Sequence, residues 1–360
     1  MKDKAIALLK ELTDAHSVPG YEDEVRAIFA DELENVGGDL DSDNQGSVYL
    51  EHGSGPRVMI AGHMDEVGFR VQHITPNGFL KFVAVGGWWT HNLLSQRVTV
   101  LTKSGEKILG VISSTPPHFL SPEKRNRVLG LSELFIDIGA ESDTEVKKVF
   151  GIRLGDPIAP STEFTAMNKD GHYMAKAFDN RVGMACAIQA AQILVREAGH
   201  PNTLIAAGTV QEEVGLRGAK SLANKAKPDI AIILEGPPAD DTPGFNPSES
   251  QGKLGGGVQI RLHDPSAIMN PRLADLAIET AEAEGINHQV TVRSSGGTDA
   301  GSFSMANTGI PCVVLGVSSR YIHSHNAIIN IEDYLCMVEL AVALVKRIDQ
   351  STADELVRYL

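Results

Sequence analysis

The sequence has little cysteine, and its few cysteines are not arranged for pairing. The 360 residues contain three of them, Cys186, Cys312 and Cys336, which lie far apart and form no CxxC pair. Such a pattern indicates neither a disulfide framework nor a thiolate zinc site. We therefore expect a reducing, cytoplasmic location. Charged residues interrupt the apolar positions of the first 20 residues, so no secretion signal is predicted.

Long apolar runs and dense basic clusters are also scarce. The strongest apolar run, residues 230–234, is far shorter than the ~20 residues that a membrane span needs. The formal net charge is −14, and basic residues are dense only at 123–127. This distribution argues against a surface that follows nucleic-acid phosphates. The sequence predicts a soluble protein that binds neither a membrane nor a nucleic acid.

The chain is long enough for about two domains, and its pattern changes twice. Residues 1–68 and 166–360 alternate strands with amphipathic helices, as in a sheet layered by helices. Residues 69–165 consist of short alternating runs broken by glycine, proline and asparagine, which are typical of β structure. We predict an α/β domain formed by 1–68 and 166–360, with a β domain inserted at 69–165. The longest predicted helix covers residues 181–199.

Residues that can bind a metal follow several predicted strands. In an open α/β sheet, the crevice outside the carboxyl ends of the strands is the usual ligand site. The candidate residues are His63 and Asp65, Asp179, Glu212 and Glu213, Glu235, and His323 and His325. The glycine-rich stretch 294–303 lacks the lysine of a phosphate loop and is interpreted as tight backbone near the pocket.

Two of these groups have a spacing that suits divided roles. Residues two apart on a strand share a face, so His63 could bind a metal while Asp65 orients its ring. Of the adjacent acids Glu212 and Glu213, one could hold a metal while its neighbour faces the water that the metal activates. Each group taken alone could equally be a set of ordinary solvated side chains, and only one of His323 and His325 need be a ligand.

Histidines and carboxylates together form a mixed nitrogen and oxygen donor set. Such a set, without thiolates, suits Zn, Co or Mn. Two cations that share a carboxylate form a hydrolytic arrangement in proteins. Paired carboxylates also occur in glycosidases, but that interpretation leaves His63, Asp65 and His323 without a role.

Five motifs in this order resemble the tetrahedral (TET) aminopeptidases, a family of dinuclear metallo-aminopeptidases. The resemblance covers nearly the whole chain, and two further motifs, VGGWW and LSPE, carry it into the predicted β insertion. The five motifs are AGHMDEVGF, AKAFDNRVG, VQEEVGLRGA, GGTDAG and RYIHSH. Members are known as glutamyl, leucyl or deblocking aminopeptidases, and some have been labelled endoglucanases.

This resemblance implies a mixed sheet between helices, as in zinc peptidases, with a small inserted β-barrel or PDZ-like domain. It also implies two divalent cations, Zn first and otherwise Co or Mn, bridged by Asp179. The other ligands would be His63 and Glu235 for one cation, and Glu213 and His323 for the other.

Two further roles follow from the resemblance. Glu212 would be the general base, and Asp65 would orient His63. Family members use the inserted domain for dimer contacts, and their dimers assemble into hollow tetrahedral dodecamers, so a homo-oligomer is expected.

The resulting hypothesis is a metal-dependent aminopeptidase that hydrolyses N-terminal residues from peptides. Family members often have Asp where this chain has Glu235, and in related peptidases Glu accompanies carboxypeptidase or deacylase activity. A carboxypeptidase-like or deacylating amidohydrolase is therefore an alternative. A non-catalytic metal-binding assembly is another, but it gives Glu212 no role.

Overall fold

The computed structural model describes residues 1–196 and 199–360. The predicted helix 181–199 includes residues 197 and 198, which lie outside the described residues. The helices are α1 (Lys2–Asp14), α2 (Asp23–Leu33), α3 (Pro122–Arg125), α4 (Asp143–Lys148), α5 (Phe178–Arg196), α6 (Arg217–Ala226), α7 (Pro271–Glu284), α8 (Ala300–Ser304), α9 (Ile331–Lys346) and α10 (Gln350–Leu356). In the described part of the chain, none of them has both the length and the apolar character that crossing a membrane requires.

The strands fall into a large sheet, a barrel and a small sheet. They are β1 (Asp39–Ser42), β2 (Val48–Gly53), β3 (Arg57–His63), β4 (Gly68–Ile74), β5 (Leu80–Val85), β6 (Arg97–Leu101), β7 (Lys107–Ser113), β8 (Phe135–Asp137), β9 (Pro157–Pro160), β10 (Thr165–Ala166), β11 (His172–Ala175), β12 (Thr203–Thr209), β13 (Ile230–Glu235), β14 (Val258–Asp264), β15 (Ala267–Ile268), β16 (His288–Val292), β17 (Cys312–Gly316) and β18 (Ala327–Asn330).

The large sheet is mixed. Its described strands lie in the order β1-β2-β12-β3-β13-β17-β14-β15, and β16 pairs with β14. The four central strands, β12, β3, β13 and β17, are parallel to their neighbours within that group, whereas β2 and β14 flank them in antiparallel pairs. The carboxyl ends of the four central strands therefore meet at one edge, where the candidate residues follow.

Helices cover both faces of this sheet. Along β13, Ile232 and Leu234 pack into the core that α1, α5, α7 and α9 cover, while Ala231 and Ile233 pack on the opposite side against α6 and α8. Because successive side chains of a strand point to opposite faces, a strand buried on both sides reads as the unbroken apolar run seen at 230–234.

Strands β4–β9 form a closed barrel with its own apolar core. The barrel strands run from Gly68 to Pro160. The predicted fold class, a mixed sheet between helices with an inserted small β-barrel, is confirmed. The domain limits at 68/69 and 165/166 remain a prediction.

Helix α5 approaches the sheet closely where the candidate residue Asp179 lies. The backbone of Asp179 and Asn180 is not helical, and the regular helix continues from Arg181. The Asn180 side chain accepts a hydrogen bond from Gly183 N at 2.9 Å and donates one to Leu234 O at 2.7 Å. A Cβ on Gly183 would lie 2.3 Å from Leu234 O, so only glycine lets the helix pack this near to β13.

Candidate metal centre

The predicted residues converge on a cavity of about 350 Å³ at the carboxyl edge of the central strands. Strands β3 and β13 end on His63 and Glu235, and Asp65 lies on the loop after β3. The other candidates lie on the loops that follow β12 and β17 or at the start of α5. Six of the eight predicted residues line the cavity, namely His63, Asp179, Glu212, Glu213, Glu235 and His323.

Asp179 lies between the two histidines. Its Oδ1 is 3.2 Å from His63 Nε2, and its Oδ2 is 3.4 Å from His323 Nε2. Each carboxylate oxygen thus faces a different imidazole. Glu235 Oε2 lies 3.8 Å from His63 Nε2, and Glu213 Oε1 lies 3.3 Å from His323 Nε2.

The two histidines are oriented by backbone carbonyls. His63 Nδ1 is 3.0 Å from Asp65 O, and His323 Nδ1 is 2.9 Å from Gly87 O in the loop after β5. A carbonyl oxygen only accepts hydrogen bonds, so each Nδ1 carries the proton and each Nε2 is available as a ligand. His325 does not line the cavity; it is buried, and its ring packs against the Trp88 ring.

The Asp65 carboxylate contacts the neighbouring loop more closely than it contacts His63. Its two oxygens accept hydrogen bonds from the backbone N–H groups of Glu212 and Glu213, at 2.9 and 3.0 Å, while Oδ1 is 3.6 Å from His63 Nδ1. The Asp65 backbone oxygen thus lies within hydrogen-bond distance of the His63 ring, and the Asp65 carboxylate accepts hydrogen bonds from both glutamates.

Within the described part of the chain, two groups of three residues bring their ligand atoms within 4.8 Å of one another. They are His63, Asp179 and Glu213, and His63, Glu212 and Glu235. His63 therefore belongs to both groups, and Glu212, which the family resemblance implied to be the base, lies as close to the other donor atoms as a ligand would. These distances do not by themselves assign the residues to two separate cation sites, as the resemblance implied.

Buried negative charge dominates the electrostatics. Burial raises the pKa of Glu235 to about 8, and burial with the nearby Asp299, Glu235 and Glu213 raises the pKa of Glu212 well above its usual range. Burial lowers the pKa of His323, but hydrogen bonds to Asp179 and Glu213 outweigh it and raise that pKa to about 11.

These observations fit divalent cations. Four carboxylates and two imidazole nitrogens face one another at a buried edge. Like charges this close are costly to bury without a counter-ion. A cation supplies that counter-charge, and the donor types are those that zinc and related metals bind.

Sequence reasoning missed two charged residues, one in the wall of the cavity and one buried near its carboxylates. Arg261 is buried on β14 and lines the wall of the cavity. The alternation of Val258, Ile260 and Leu262 with polar residues is a strand signal from which β14 could have been predicted. Asp299 lies in the motif GGTDAG, and its Oδ2 accepts a hydrogen bond from Thr209 Oγ1 at 2.5 Å. The stretch 294–303 does lie at the pocket, as predicted, since residues 295–298 line it.

Comparison with known proteins assigns the family. A family model described as M42 glutamyl aminopeptidase matches residues 46–340, and one described as AMPT matches residues 3–29. The chain is 39% identical over 337 residues to a putative aminopeptidase, FrvX, of Escherichia coli K12, with 93% of each chain covered. It is 35% identical to the glutamyl aminopeptidase of Lactococcus lactis over 98% of each chain.

Other relatives and solved structures point the same way. Identity to the lysyl aminopeptidase of Pyrococcus furiosus is 30%, over 95% of this chain and 96% of the relative. A TET aminopeptidase from a marine sediment Thaumarchaeota archaeon superposes with a TM-score of 0.95 at 39% identity, covering 99% of this chain and 100% of that one. The TET1 peptidase of Pyrococcus horikoshii gives 0.84 at 34% identity, covering 96% and 100%.

The fold, the donor set and these relatives define the class as a metal-dependent hydrolase of peptide bonds. Within that class the chain belongs to the M42 family of aminopeptidases, as the sequence motifs predicted.

Asp65 offers a test of how the centre is held together. In Asp65→Ala, the N–H groups of Glu212 and Glu213 lose a buried acceptor, so we expect a free energy of unfolding lower by about 2 kcal/mol or more, together with a large loss of peptidase activity per folded molecule. Thermal unfolding and peptide hydrolysis measure the two effects.

Asp43→Ala is the matched control. The Asp43 carboxylate is also buried and accepts backbone N–H groups of residues 45–47, but in a loop outside the cavity. We expect this variant to lose stability and to retain activity per folded molecule. Equal activity losses in the two variants would contradict the role given to Asp65.

Proposed function

We propose that this chain removes N-terminal residues from peptides with a pair of divalent cations bound at the carboxyl edge of its sheet. The observation that carries the proposal is the convergence of two histidines and four carboxylates, from segments as far apart as His63 and His323, on one buried cavity. Among the described residues, no lysine or arginine is ion-paired with these carboxylates, so the charge compensation falls to the imidazoles and the cations.

Asp179 is proposed as the bridging ligand. Support comes from its two oxygens, each of which faces a different imidazole. We propose that one cation is held by His63 and Glu235 and the other by Glu213 and His323. Zn is the proposed metal, with Co and Mn as alternatives, because the donors are nitrogen and oxygen without thiolates.

Divalent cations held by these residues would polarise the peptide carbonyl and lower the pKa of the attacking water. Glu212 is proposed to accept a proton from that water on its carboxylate and to deliver it to the nitrogen of the leaving amine, as a general base and then a general acid. Its position beside the proposed ligand Glu213, with Oε2 3.9 Å from His63 Nε2, supports this role.

Metal reconstitution tests the proposal. Chelation should abolish hydrolysis of aminoacyl substrates, and Zn, Co or Mn should restore it to the wild type. Glu212→Gln should bind the same amount of metal and yet remain slower by about 10²–10⁴-fold, because it lacks the proton acceptor. Metal content is read by elemental analysis, and turnover with a fluorogenic panel of N-terminal residues.

Blocked peptides separate the alternatives. Acetylation of the peptide N-terminus should prevent cleavage by an aminopeptidase, whereas amidation of the C-terminus should not. Cleavage that depends instead on a free C-terminus would support the carboxypeptidase-like activity, and release of an acyl group would support a deacylase. Tight metal binding without cleavage of any peptide would support the non-catalytic assembly.

An acidic N-terminal residue is the proposed preference. Arg261 lines the same cavity as the proposed ligand Glu235, and its buried Nε has no hydrogen-bond partner among the described residues, although NH1 is 3.3 Å from Asp264 Oδ2. A guanidinium with a free N–H suits a carboxylate and repels an amine. The proposal therefore follows the name of the glutamyl relative rather than that of the lysyl one.

Arg261→Met tests this preference. We expect kcat/KM for an N-terminal glutamyl substrate to fall by about tenfold or more, the worth of one charged hydrogen bond, while a leucyl substrate is hydrolysed as before. Arg272→Met removes the same charge outside the cavity and should leave both rates unchanged. An equal fall for both substrates would contradict a role in recognition.

Assembly is proposed from the relatives and from exposed apolar side chains. The TET1 peptidase of P. horikoshii can assemble into a tetrahedron or a large octahedral shell, and in this chain Leu109, Val111 and Phe119 of the barrel segment are exposed. We propose dimers that form a tetrahedral dodecamer, and light scattering should give about twelve times the chain mass; a monomer would contradict this.

The cytoplasm remains the proposed location, supported by three unpaired cysteines and testable by cell fractionation.

A further inference from the structure

One short segment of the inserted barrel lies against the metal centre. Residues 86–88 follow β5, and a Cβ placed on Gly86 would lie 2.6 Å from Val67 Cγ1 and 3.4 Å from Glu213 Cβ. A Cβ placed on Gly87 would lie 3.1 Å from His323 Nδ1. Glycine at both positions therefore allows the barrel backbone to approach two proposed ligands.

This segment supplies the hydrogen-bond acceptor for His323. The ring donates from Nδ1 to Gly87 O at 2.9 Å, which leaves Nε2 facing Asp179 and Glu213. His63 differs, because its acceptor is Asp65 O, two residues along its own chain segment. One imidazole of the centre thus depends on the barrel, and the other does not.

Trp88 fixes this segment in place. Its indole Nε1 donates to Gly68 O at 3.0 Å, at the start of β4, and its ring stacks on Phe69 at 4.6 Å between centroids. The ring also contacts His325, two residues after His323, at 5.5 Å between centroids. Trp88 is therefore held by the barrel and packs against the loop that carries His323.

We infer that Trp88 is a positioning residue for one half of the metal centre: it holds the Gly87 carbonyl against His323 Nδ1 and thereby sets the affinity for the cation bound by Glu213 and His323. The inference rests on the proposed role of His323 as a ligand. It assigns the inserted barrel a part in metal binding in addition to its proposed part in assembly. The half bound by His63 and Glu235 should be independent of Trp88.

The sequence offers a matched pair of variants. Trp88 and Trp89 are adjacent and are the two tryptophans of the chain, and Trp89 is 62% exposed. Trp88→Phe keeps an aromatic ring for the stack on Phe69 but removes the N–H that reaches Gly68 O. Trp89→Phe makes the same chemical change on the exposed neighbour.

Titration of metal-free full-length protein with Co²⁺ alone tests the inference, by calorimetry and by visible absorption. The wild type should bind two equivalents of Co²⁺, and Trp89→Phe should bind each of them with the affinity of the wild type. Trp88→Phe should keep the affinity of one equivalent and bind the other up to about tenfold more weakly, because the Gly87 carbonyl, the outer hydrogen-bond partner of His323, is no longer held in place. Excess Co²⁺ should restore hydrolysis, which a misfolded barrel would not allow.

A second pair of variants covers the case in which Trp88→Phe unfolds. Gly87→Ala places its methyl group against His323 and should weaken the same single equivalent. Gly130→Ala adds a methyl group elsewhere in the barrel segment, where the nearest atom is 3.7 Å away, and should bind Co²⁺ like the wild type.

Three results would overturn the inference. If Trp88→Phe and Gly87→Ala both bind the two equivalents with unchanged affinity, residues 86–88 have no role in metal binding. An equal weakening of both equivalents would indicate general loosening rather than positioning of His323. A wild type that binds no pair of cations would refute the proposed function first, and this inference with it.

Discussion

Negative charge buried at one edge of the sheet is the constraint on which the rest of the structure depends. Asp179, Glu212, Glu213 and Glu235 face one another where water is largely excluded, and burial raises the pKa of each of these glutamates. Such a group of carboxylates is stable only with positive charge among them. The imidazoles supply part of this positive charge, and the proposed cations would supply the rest. The excess of buried negative charge, which would destabilise the fold without cations, therefore favours metal binding.

A second cluster of buried charges connects the segments that carry the centre. Glu66 is contacted by Lys176 Nζ at 2.6 Å and by Arg181 at 3.0 Å, and these cations keep its pKa below the usual range although burial opposes this. Lys176 also donates to Ala15 O, and Arg181 to Leu12 O and Met64 O. The cluster thus ties α1 and the loop after β3 to the segment that carries Asp179. A buried charge left without its partner is strongly destabilising, so these contacts hold the ligand segments together.

Particular elements show how far prediction from sequence reached. The apolar runs ending in His63 and Glu235 are strands on which these residues are the last, because a strand buried on both faces has a recognisable pattern and its end is marked by the first polar residue. Strands β14 and β16 were missed, and Arg261 with β14, because β14 mixes buried polar residues into its alternation. The stretch that contains Asp299 was interpreted as tight backbone near the pocket and its side chain received no role, since nothing local indicates that the carboxylate meets Thr209, 90 residues away.

By itself, the sequence determined the α/β alternation, the inserted β segment and the donor types at the strand ends, because these follow from local periodicity and from the chemistry of each side chain. Only the tertiary structure decided which donors meet, that His323 rather than His325 faces Asp179, and that a carbonyl of the barrel orients it. The physical reason is that these contacts join residues more than a hundred positions apart, and their distances are set by how the sheet, α5 and the barrel pack together.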